Sequence, residues 1–328
     1  MPELLAVQEP SALTILLQQV LNGLITGSLF ALIALGYSMV YGIVELINFA
    51  HGDLFMLGCF LALTIVGGLG IAAVGTLGTV FGILLLVVAC SAFCAGLNWL
   101  VNRVVYQPLR NAPKLAPLVS AIGVSFVFMN LGLFWGAAPM DVFGGGKAPA
   151  ANKDFPLLIA NDSILPAGNP LWFTKKDLVV LGVTVPLMIG LHLFVRYTKL
   201  GKAMRATAQN PTAAQLMGID VNRVIGATFV IGGALAGAAS VLYSLHVNTI
   251  GFQMGYQNGL YAFTAAVLGG IGSIPGAVLG GLVIGLVRSL GSQYVGEQWV
   301  SALVFVILIV LLIFRPTGLL GGRAKVKV

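Results

Sequence analysis

Residues 265–281 read AAVLGGIGSIPGAVLGG and interrupt an apolar segment that is otherwise long enough to cross a membrane as one helix. Clustered glycines and Pro275 are unfavourable in the interior of a straight helix. We therefore predict two helices, at 258–270 and 276–291, joined by non-helical backbone inside the protein. Each is shorter than a full span, as expected where helices meet at a break that protein surrounds.

The composition of the whole chain indicates a membrane protein. Of its 328 residues, 58% are hydrophobic and 8% are charged, which excludes a soluble domain of this length. Apolar runs of about 20 residues recur, each long enough to cross roughly 30 Å of hydrocarbon. The alternation typical of barrel strands is absent. The predicted fold class is therefore all-α, a polytopic helical membrane protein with a single transmembrane domain over 1–328.

The net charge of +7 has to be interpreted from its distribution along the chain. Basic residues gather at 103–114, in a loop at 196–223 and in a tail at 315–328, and such loops mark the cytoplasmic face. The segment 139–177 balances its lysines against aspartates and is predicted to be external. A nucleic-acid surface would need aromatic side chains among the basic ones on a soluble face, so no nucleic-acid partner is expected. The basic residues are Arg103, Arg110, Lys114, Arg196, Lys199, Lys202, Arg205, Arg315, Arg323, Lys325 and Lys327.

Charge parity then sets the number of spans. Because the loop at 196–223 and the tail are both basic, the chain between them must cross the membrane an even number of times. A second interruption, within 42–53, places polar groups inside an apolar run. We predict about ten spans with both termini inside, whereas an unbroken 36–68 would leave nine spans with the N-terminus outside. The ten are 12–34, 36–49, 52–68, 77–101, 117–138, 178–195, 224–247, 258–270, 276–291 and 298–314.

Two glycine-rich interruptions in corresponding halves are typical of an inverted repeat whose broken helices line a central cavity, although two unrelated clusters would look the same. At the first interruption the polar side chains either line a pathway or bond the backbone groups that the break frees. Glu45 and Asp53 are the plausible intramembrane acids. The candidate residues for the pathway or the helix breaks are Asn48, His51, Gly52, Asp53, Gly269, Gly270, Gly272, Ser273 and Pro275.

The basic loop contains a short, well-capped helix. Asn210 has the N-cap residue type, Pro211 follows at the first helical position, and Gly218 stands where a left-handed C-terminal cap belongs. The spacing predicts a helix over 211–217. Ala213, Ala214, Leu216 and Met217 give it a small, partly apolar face that could sit in a groove on a soluble partner. The alternative is a solvated or lipid-surface loop anchored by its basic residues.

Motifs for chemistry or nucleotide binding are missing from the sequence. It contains no GxxxxGK[ST] phosphate loop, no HExxH and no recognisable Ser, His and Asp set. The three cysteines lie in apolar stretches and indicate neither a disulfide framework nor a metal site. We expect a chain that is not an enzyme, so any ATP-driven role would require another subunit.

Four stretches together resemble one transporter family, in order and over about residues 15–320. They are LNGLITGSLFALIALGYSMVYG (21–42), INFAHGD (47–53), LGKAMRA (200–206) and AFTAAVLGGIGSIPGA (262–277). These stretches are similar to the H-type permease subunit of bacterial ABC importers for branched-chain amino acids. The motifs are less specific for leucine, isoleucine and valine than for the group, which includes permeases for urea, short amides and other amino acids. A secondary transporter acting without ATP is the rival from another class.

The resemblance implies a permease in the bacterial cytoplasmic (inner) membrane, in contact with lipid. Its expected partners are a second homologous permease, two cytoplasmic ATPases and an external substrate-binding protein. ATP and Mg²⁺ would bind to the ATPases, and no cofactor to this chain. The loop at 200–219 would couple the chain to the ATPases, although Ala206–Ala208 replaces the Glu-Ala-Ala opening of the general coupling motif. The residues implied in coupling are Gly201, Arg205, Ala206, Asn210, Pro211, Ala214 and Gly218.

Overall fold

The computed structural model describes residues 11–70, 76–110, 112–113, 115–166 and 169–321. Lys114 and most of the predicted tail, including Arg323, Lys325 and Lys327, lie outside these ranges. The helices are α1 (Ala12–Val44), α2 (Ala50–Leu69), α3 (Thr76–Val101), α4 (Leu115–Trp135), α5 (Lys175–Tyr197), α6 (Lys199–Gln209), α7 (Pro211–Leu216), α8 (Val221–Val247), α9 (Met254–Gly269), α10 (Ile274–Tyr294) and α11 (Glu297–Phe314).

The all-α prediction is confirmed. In the described ranges, eight helices are long and apolar enough to cross a membrane, and α9, with 16 residues, is a shorter apolar helix beside them. A π-helical turn at Asn102–Tyr106 continues α3, and a 3-10 helix occupies Asp141–Gly146. The strands β1 (Lys153–Asp154) and β2 (Thr249–Ile250) form one short antiparallel pair.

The first helix corrects the predicted count of ten spans. The predicted spans 12–34 and 36–49 largely merge into the single helix α1, because no proline interrupts the chain before Val44. The helix ends at Glu45, which adopts a left-handed conformation with φ of 56° and donates its N–H to the Tyr41 carbonyl oxygen. At 33 residues, α1 is about 50 Å long. Because this length exceeds the roughly 30 Å thickness of the hydrocarbon core, α1 must either tilt in the membrane or extend beyond it at one end.

The first predicted interruption is present, but it begins three residues into the interval 42–53. Residues 45–49 are non-helical, and α2 starts at Ala50. The His51 ring packs against the Tyr37 ring at 4.7 Å, which places the start of α2 beside the middle of α1. Val44 lies about 10 Å further along the α1 axis than Tyr37, so the chain turns back before α2 begins. The N-terminus of α2 is therefore inside the protein.

The second predicted interruption is also present. Between α9 and α10 the backbone turns through Gly270 and Gly272, whose φ values are 105° and 87°. The Ser273 hydroxyl then caps α10 by accepting from the Gly276 N–H at 3.2 Å. The expectation that both flanking helices are short holds only for α9, because α10 has 21 residues. An internal inverted repeat stays a prediction.

Helices α1, α2 and α8 hold most of the buried residues, and α9 and α10 pack against them. Small residues permit the close approach of α1 and α10: a Cβ on Gly285 would lie 2.3 Å from the Cα of Gly27. Helices α3, α4, α5 and α11 are largely exposed and apolar, and they form the perimeter. This arrangement is typical of helices that face lipid.

Two opposite faces of the helix bundle can be distinguished by their contacts. On one, which we call the 139–174 face, Gln18 near the start of α1 exchanges hydrogen bonds of 2.9 and 2.7 Å with the backbone of Trp172. Gln293 at the end of α10 bonds Gln19 there. On the other, the 196–223 face, Gly42 near the end of α1 contacts Gly272.

The start of α1 therefore lies on the 139–174 face, away from the basic loop. Within the described ranges, the chain runs from one face to the other nine times, through α1 to α5 and α8 to α11. The prediction that both termini share the side of the basic loop is wrong for the start of α1. It fails because α1 is one crossing instead of two.

Candidate functional site

The segment predicted to couple to an ATPase begins with a tight turn between α5 and α6. The Thr198 hydroxyl accepts from the Gly201 N–H at 3.0 Å and caps α6. A Cβ on Gly201 would lie 2.4 Å from the Val195 carbonyl oxygen, so a side chain here would force the turn apart. Arg205 ties α6 back by donating to the Arg196 carbonyl oxygen at 3.1 Å. Ala206 is half-buried on the same helix.

The caps of α7 form as the sequence predicts. The Asn210 side chain accepts from the Ala213 N–H at 3.0 Å, and Pro211 occupies the first turn. Gly218 has a φ of 81°, the left-handed conformation expected just after a helix. The Ile219 N–H then bonds the Ala214 carbonyl oxygen at 3.0 Å. These bonds fix the entry and exit of a helix of only six residues.

The exposed face of α7 agrees with the predicted face except at Ala214. Ala214 is only 4% exposed and belongs to the apolar core of this chain, so it cannot be the surface that meets a partner. Leu216 and Met217, two other residues of the predicted face, are 85% and 82% exposed. Helix α7 packs against α6 and α8 with one side. Ala214 is on that side, so it is buried within this chain.

The segment predicted to couple to an ATPase is packed against the helix bundle. Helix α6 packs on α1, α5 and α8. Asp220 caps the start of α8 by accepting from the Arg223 backbone N–H at 3.1 Å, and a salt bridge of 3.0 Å joins the side chains of the two residues. Nearby, Arg110 donates to the side chains of Asn222 and Asn102. Burial lowers the pKa of Arg110 from its usual value. A displacement of α7 would therefore be transmitted to α1 and α8.

A cavity of about 660 Å³ opens between α1, α2, α4 and α9, and we call it the Asp53 cavity. Asp53, in the first turn of α2, is 1% exposed and accepts a hydrogen bond at Oδ2 from Ser125 of α4. Its Oδ1 atom has no hydrogen-bond partner among the described residues. Gly255 at the start of α9 permits the approach of the two helices, because a Cβ there would lie 2.8 Å from the Asp53 Cα.

The other polar residues of the first interruption lie away from this cavity. Asn48 donates to the Asn98 side chain at 3.2 Å, and Asn98 donates to the Phe229 carbonyl oxygen at 2.7 Å. The His51 imidazole lies between α1 and α8, close to Gly36. Asn48 is thus joined to α3 through Asn98, while the His51 ring packs between helices. Gly52 contacts α9, and Asp53 is the member of this group that lines the cavity.

The glycines of the second interruption do not line the Asp53 cavity. The segment after α11 packs against them. In it, Leu319 and Leu320 donate backbone hydrogen bonds to the carbonyl oxygens of Leu268 and Gly269. A Cβ on Gly270 would lie 2.4 Å from the Gly321 nitrogen. Gly269, Gly270, Gly272, Ser273 and Pro275 therefore form a structural turn, separate from the cavity that Asp53 lines.

Several residues of the cavity were not predicted from the sequence. Ser125 is an ordinary serine in an apolar helix, and nothing in the sequence joins it to Asp53. Gln253 and Gln257, near the start of α9, also line the cavity. The pair Gly255 and Gly259 has the small-xxx-small spacing of packed membrane helices, which was the available signal for this contact.

Comparisons with known proteins bear on what such a site serves. A protein-family model for the permease component of branched-chain amino acid transport systems matches residues 19–313. The high-affinity branched-chain amino acid transport system permease protein BraD of Pseudomonas aeruginosa is 39% identical over 317 residues, covering 95% of this chain and 98% of BraD. LivH of Escherichia coli, described in the same words, is 39% identical over 318 residues, covering 95% and 97%. No solved structure matches.

Proposed function

Because this chain belongs to the family of permease components of branched-chain amino acid transport systems, we propose that it forms part of the translocation path of an ATP-driven importer for leucine, isoleucine and valine. The observation that carries the proposal is the similarity to BraD and LivH along nearly the full length of both. The multi-pass helical fold is consistent with it. The proposed location is the bacterial cytoplasmic membrane.

The chain itself performs no covalent chemistry in this proposal. Its sequence has no phosphate-binding loop, so ATP and Mg²⁺ bind to two cytoplasmic ATPase subunits. A second homologous permease completes the path, and an external protein delivers the substrate. The 196–223 face is cytoplasmic and the 139–174 face is external, in agreement with the basic loop on the first and the balanced charges on the second.

Coupling runs through α7. The exposed Leu216 and Met217 side chains insert into an apolar groove of the ATPase, while Lys199, Lys202 and Arg205 on α6 supply charge beside them. When ATP brings the ATPases together, α7 moves, and α6 transmits the displacement to α1 and α8. The path then changes from outward-facing to inward-facing.

Deletion of the gene in its own host tests the function. High-affinity uptake of labelled leucine should be lost and should return when the chain is supplied in trans, while ion-coupled leucine uptake remains. Uptake of urea and of short amides is measured in the same cells. Loss of urea or amide uptake with unchanged leucine uptake would contradict the substrate and favour one of the related permeases.

A further inference from the structure

A second pocket, of about 490 Å³, opens between the end of α3 and the start of α8, and we call it the Arg103 pocket. Its charged residues are Arg103 in the π-helical turn that continues α3, Arg223 in the first turn of α8, and Asp220. Asp220 is the one acid among the described residues that line it. Because two arginines accompany one carboxylate, the pocket attracts an anion.

A third arginine, Arg110, lies beside the pocket and adds to its positive charge. It donates to the side-chain oxygens of Asn102 and Asn222, both of which line the pocket. An arginine side chain has no acceptor, so each amide turns its oxygen toward Arg110 and keeps its nitrogen for another partner. Arg103 likewise holds the side-chain oxygen of Gln107, at 3.4 Å. The polar groups that a ligand would meet are therefore mainly donors.

The two arginines that line the pocket can turn toward a ligand. Arg103 is exposed, and the Arg223 side chain is 89% exposed although it pairs with Asp220. Exposed ion pairs of this kind contribute little stability, so Arg223 can exchange its partner at small cost. Guanidinium groups form paired hydrogen bonds with the oxygens of a phosphate. The donors of the pocket thus suit a phosphate group.

Both helices of the pocket become apolar in the same direction. On α3, Trp99 lies one turn before Arg103 and is 48% exposed. On α8, Ala227 and Val230 lie one and two turns after Arg223 and are half-buried. Because α3 ends and α8 begins on the 196–223 face, the apolar side of the pocket lies deeper in the membrane than its arginines. Tryptophan at the interface and basic residues at the surface are the arrangement that a phospholipid meets.

We propose that the Arg103 pocket binds the headgroup of an anionic phospholipid from the leaflet on the 196–223 face. The phosphate accepts hydrogen bonds from Arg103 and Arg223 and from the amide nitrogens of Asn102 and Asn222. An acyl chain then lies along Trp99 and the apolar side of α8. A soluble phosphate would leave that apolar side uncovered, and a zwitterionic headgroup would bring an ammonium group toward the arginines.

The bound lipid would join the end of α3 to the start of α8, next to the segment predicted to couple to an ATPase. The inference goes beyond the proposed function and holds whatever substrate the chain carries.

Quenching of Trp99 fluorescence by a brominated lipid tests the site. The complete importer is reconstituted in phosphatidylcholine nanodiscs that contain a minor fraction of brominated phosphatidylglycerol or, separately, of phosphatidylcholine with the same brominated chains. Subtracting the emission of the Trp99→Phe importer gives the emission of Trp99 in each sample. Phosphatidylglycerol should quench Trp99 several-fold more than phosphatidylcholine does. Equal quenching by the two lipids in the unmodified importer would overturn the inference, whatever the variants do.

Replacing Arg103 and Arg223 together with glutamine should remove the preference for phosphatidylglycerol. The matched control is Arg196→Gln with Arg315→Gln, which removes two exposed arginines from the same face outside the pocket and should retain the preference. Equal loss of the preference in both double variants would reveal a general attraction of the basic face for anionic lipid, and would overturn a site at Arg103.

Two further measurements distinguish other occupants of the pocket. Glycerol 3-phosphate, which carries a phosphate but no acyl chains, should not displace brominated phosphatidylglycerol at an equal molar amount, and displacement would overturn the lipid in favour of a soluble phosphate. The ATPase subunits should copurify normally with the Arg103→Gln, Arg223→Gln permease. Their loss from this variant, together with equal quenching by the two lipids in the unmodified importer, would overturn the lipid in favour of a protein contact.

Discussion

The Asn98 side-chain amide donates a 2.7 Å hydrogen bond to the main-chain carbonyl oxygen of Phe229 and so joins α3 to α8 inside the helix bundle. Its own Oδ1 accepts from Asn48 at 3.2 Å, which extends the chain of bonds to the non-helical segment before α2. Asn48 and Asn98 are 3% and 1% exposed. These amides therefore hold the first break in place.

Replacing Asn98 with alanine should destabilise the protein by about 2 kcal/mol, because it removes two buried hydrogen bonds and leaves the Asn48 amide without its acceptor. The measurement is the thermal unfolding midpoint of the purified protein in detergent. Asn130→Ala is the matched control, since Asn130 is exposed and bonds only the Phe126 carbonyl oxygen of its own helix. Equal midpoints for the two variants would show that the buried amides contribute nothing.

Replacing Gly218 with valine should uncouple ATP hydrolysis from transport. The φ of 81° disfavours an L-residue by roughly 1–2 kcal/mol, so the exit of α7 should shift. Substrate-stimulated ATP hydrolysis in reconstituted vesicles should fall, while the amount of protein in the membrane is unchanged. Gly182→Val is the control, because Gly182 has equal open space within a membrane helix but no positive φ. Normal stimulation in Gly218→Val would contradict a role for this cap.

Replacing Leu216 with aspartate should abolish copurification of the ATPase subunits. The side chain is 85% exposed on this chain, and a charge buried without a partner in the proposed contact would cost several kcal/mol. Leu69→Asp, an exposed leucine at the end of α2 on the opposite face, should leave copurification intact. Ala214→Asp would not test docking, because Ala214 is buried and an aspartate there would disturb the core of this chain. Retained ATPase in Leu216→Asp would exclude this docking surface.

The positions of two thiols test the nine crossings. In a protein whose Cys59, Cys90 and Cys94 are replaced by alanine, Ala12→Cys at the start of α1 should react with an impermeant reagent applied to intact spheroplasts. Gln209→Cys, exposed at the end of α6, should react only after permeabilisation. The ten-span arrangement expects both to be protected. Reaction of both thiols only after permeabilisation would refute the orientation of α1.

The ends of helices are predicted well from the sequence where residues that break or cap a helix act on neighbouring backbone. The predicted spans 224–247 and 298–314 match α8 (Val221–Val247) and α11 (Glu297–Phe314) to within three residues at each end. Glycine, proline and asparagine act on the backbone of their immediate neighbours, so the turn at Gly270 and the caps of α7 could be located without knowledge of the rest of the fold.

Helix boundaries and side-chain orientations are predicted poorly where they depend on contacts between residues that are far apart in the sequence. The predicted spans 12–34 and 36–49 leave a boundary at residue 35, but the chain is helical there and Gly36 provides space for the His51 ring. The orientation of Ala214 depends on which side of α7 packs against α6 and α8. Asp53 could be identified as an unusual buried acid, whereas its neighbours Ser125 and Gly255 come from α4 and α9. The spacing of Gly255 and Gly259 indicates that α9 packs closely on another helix, but it does not identify Asp53 as the residue that Gly255 meets.

The central claim is that ATP hydrolysis by partner subunits drives branched-chain amino acids through this chain. It is tested most directly by labelled leucine uptake into vesicles that contain the purified permease pair and its ATPases, with the delivering protein outside. We predict accumulation with ATP and Mg²⁺ on the ATPase side, none with a non-hydrolysable ATP analogue, and no effect of collapsing the proton and sodium gradients. Accumulation that persists without ATP and disappears when those gradients are collapsed would contradict the account.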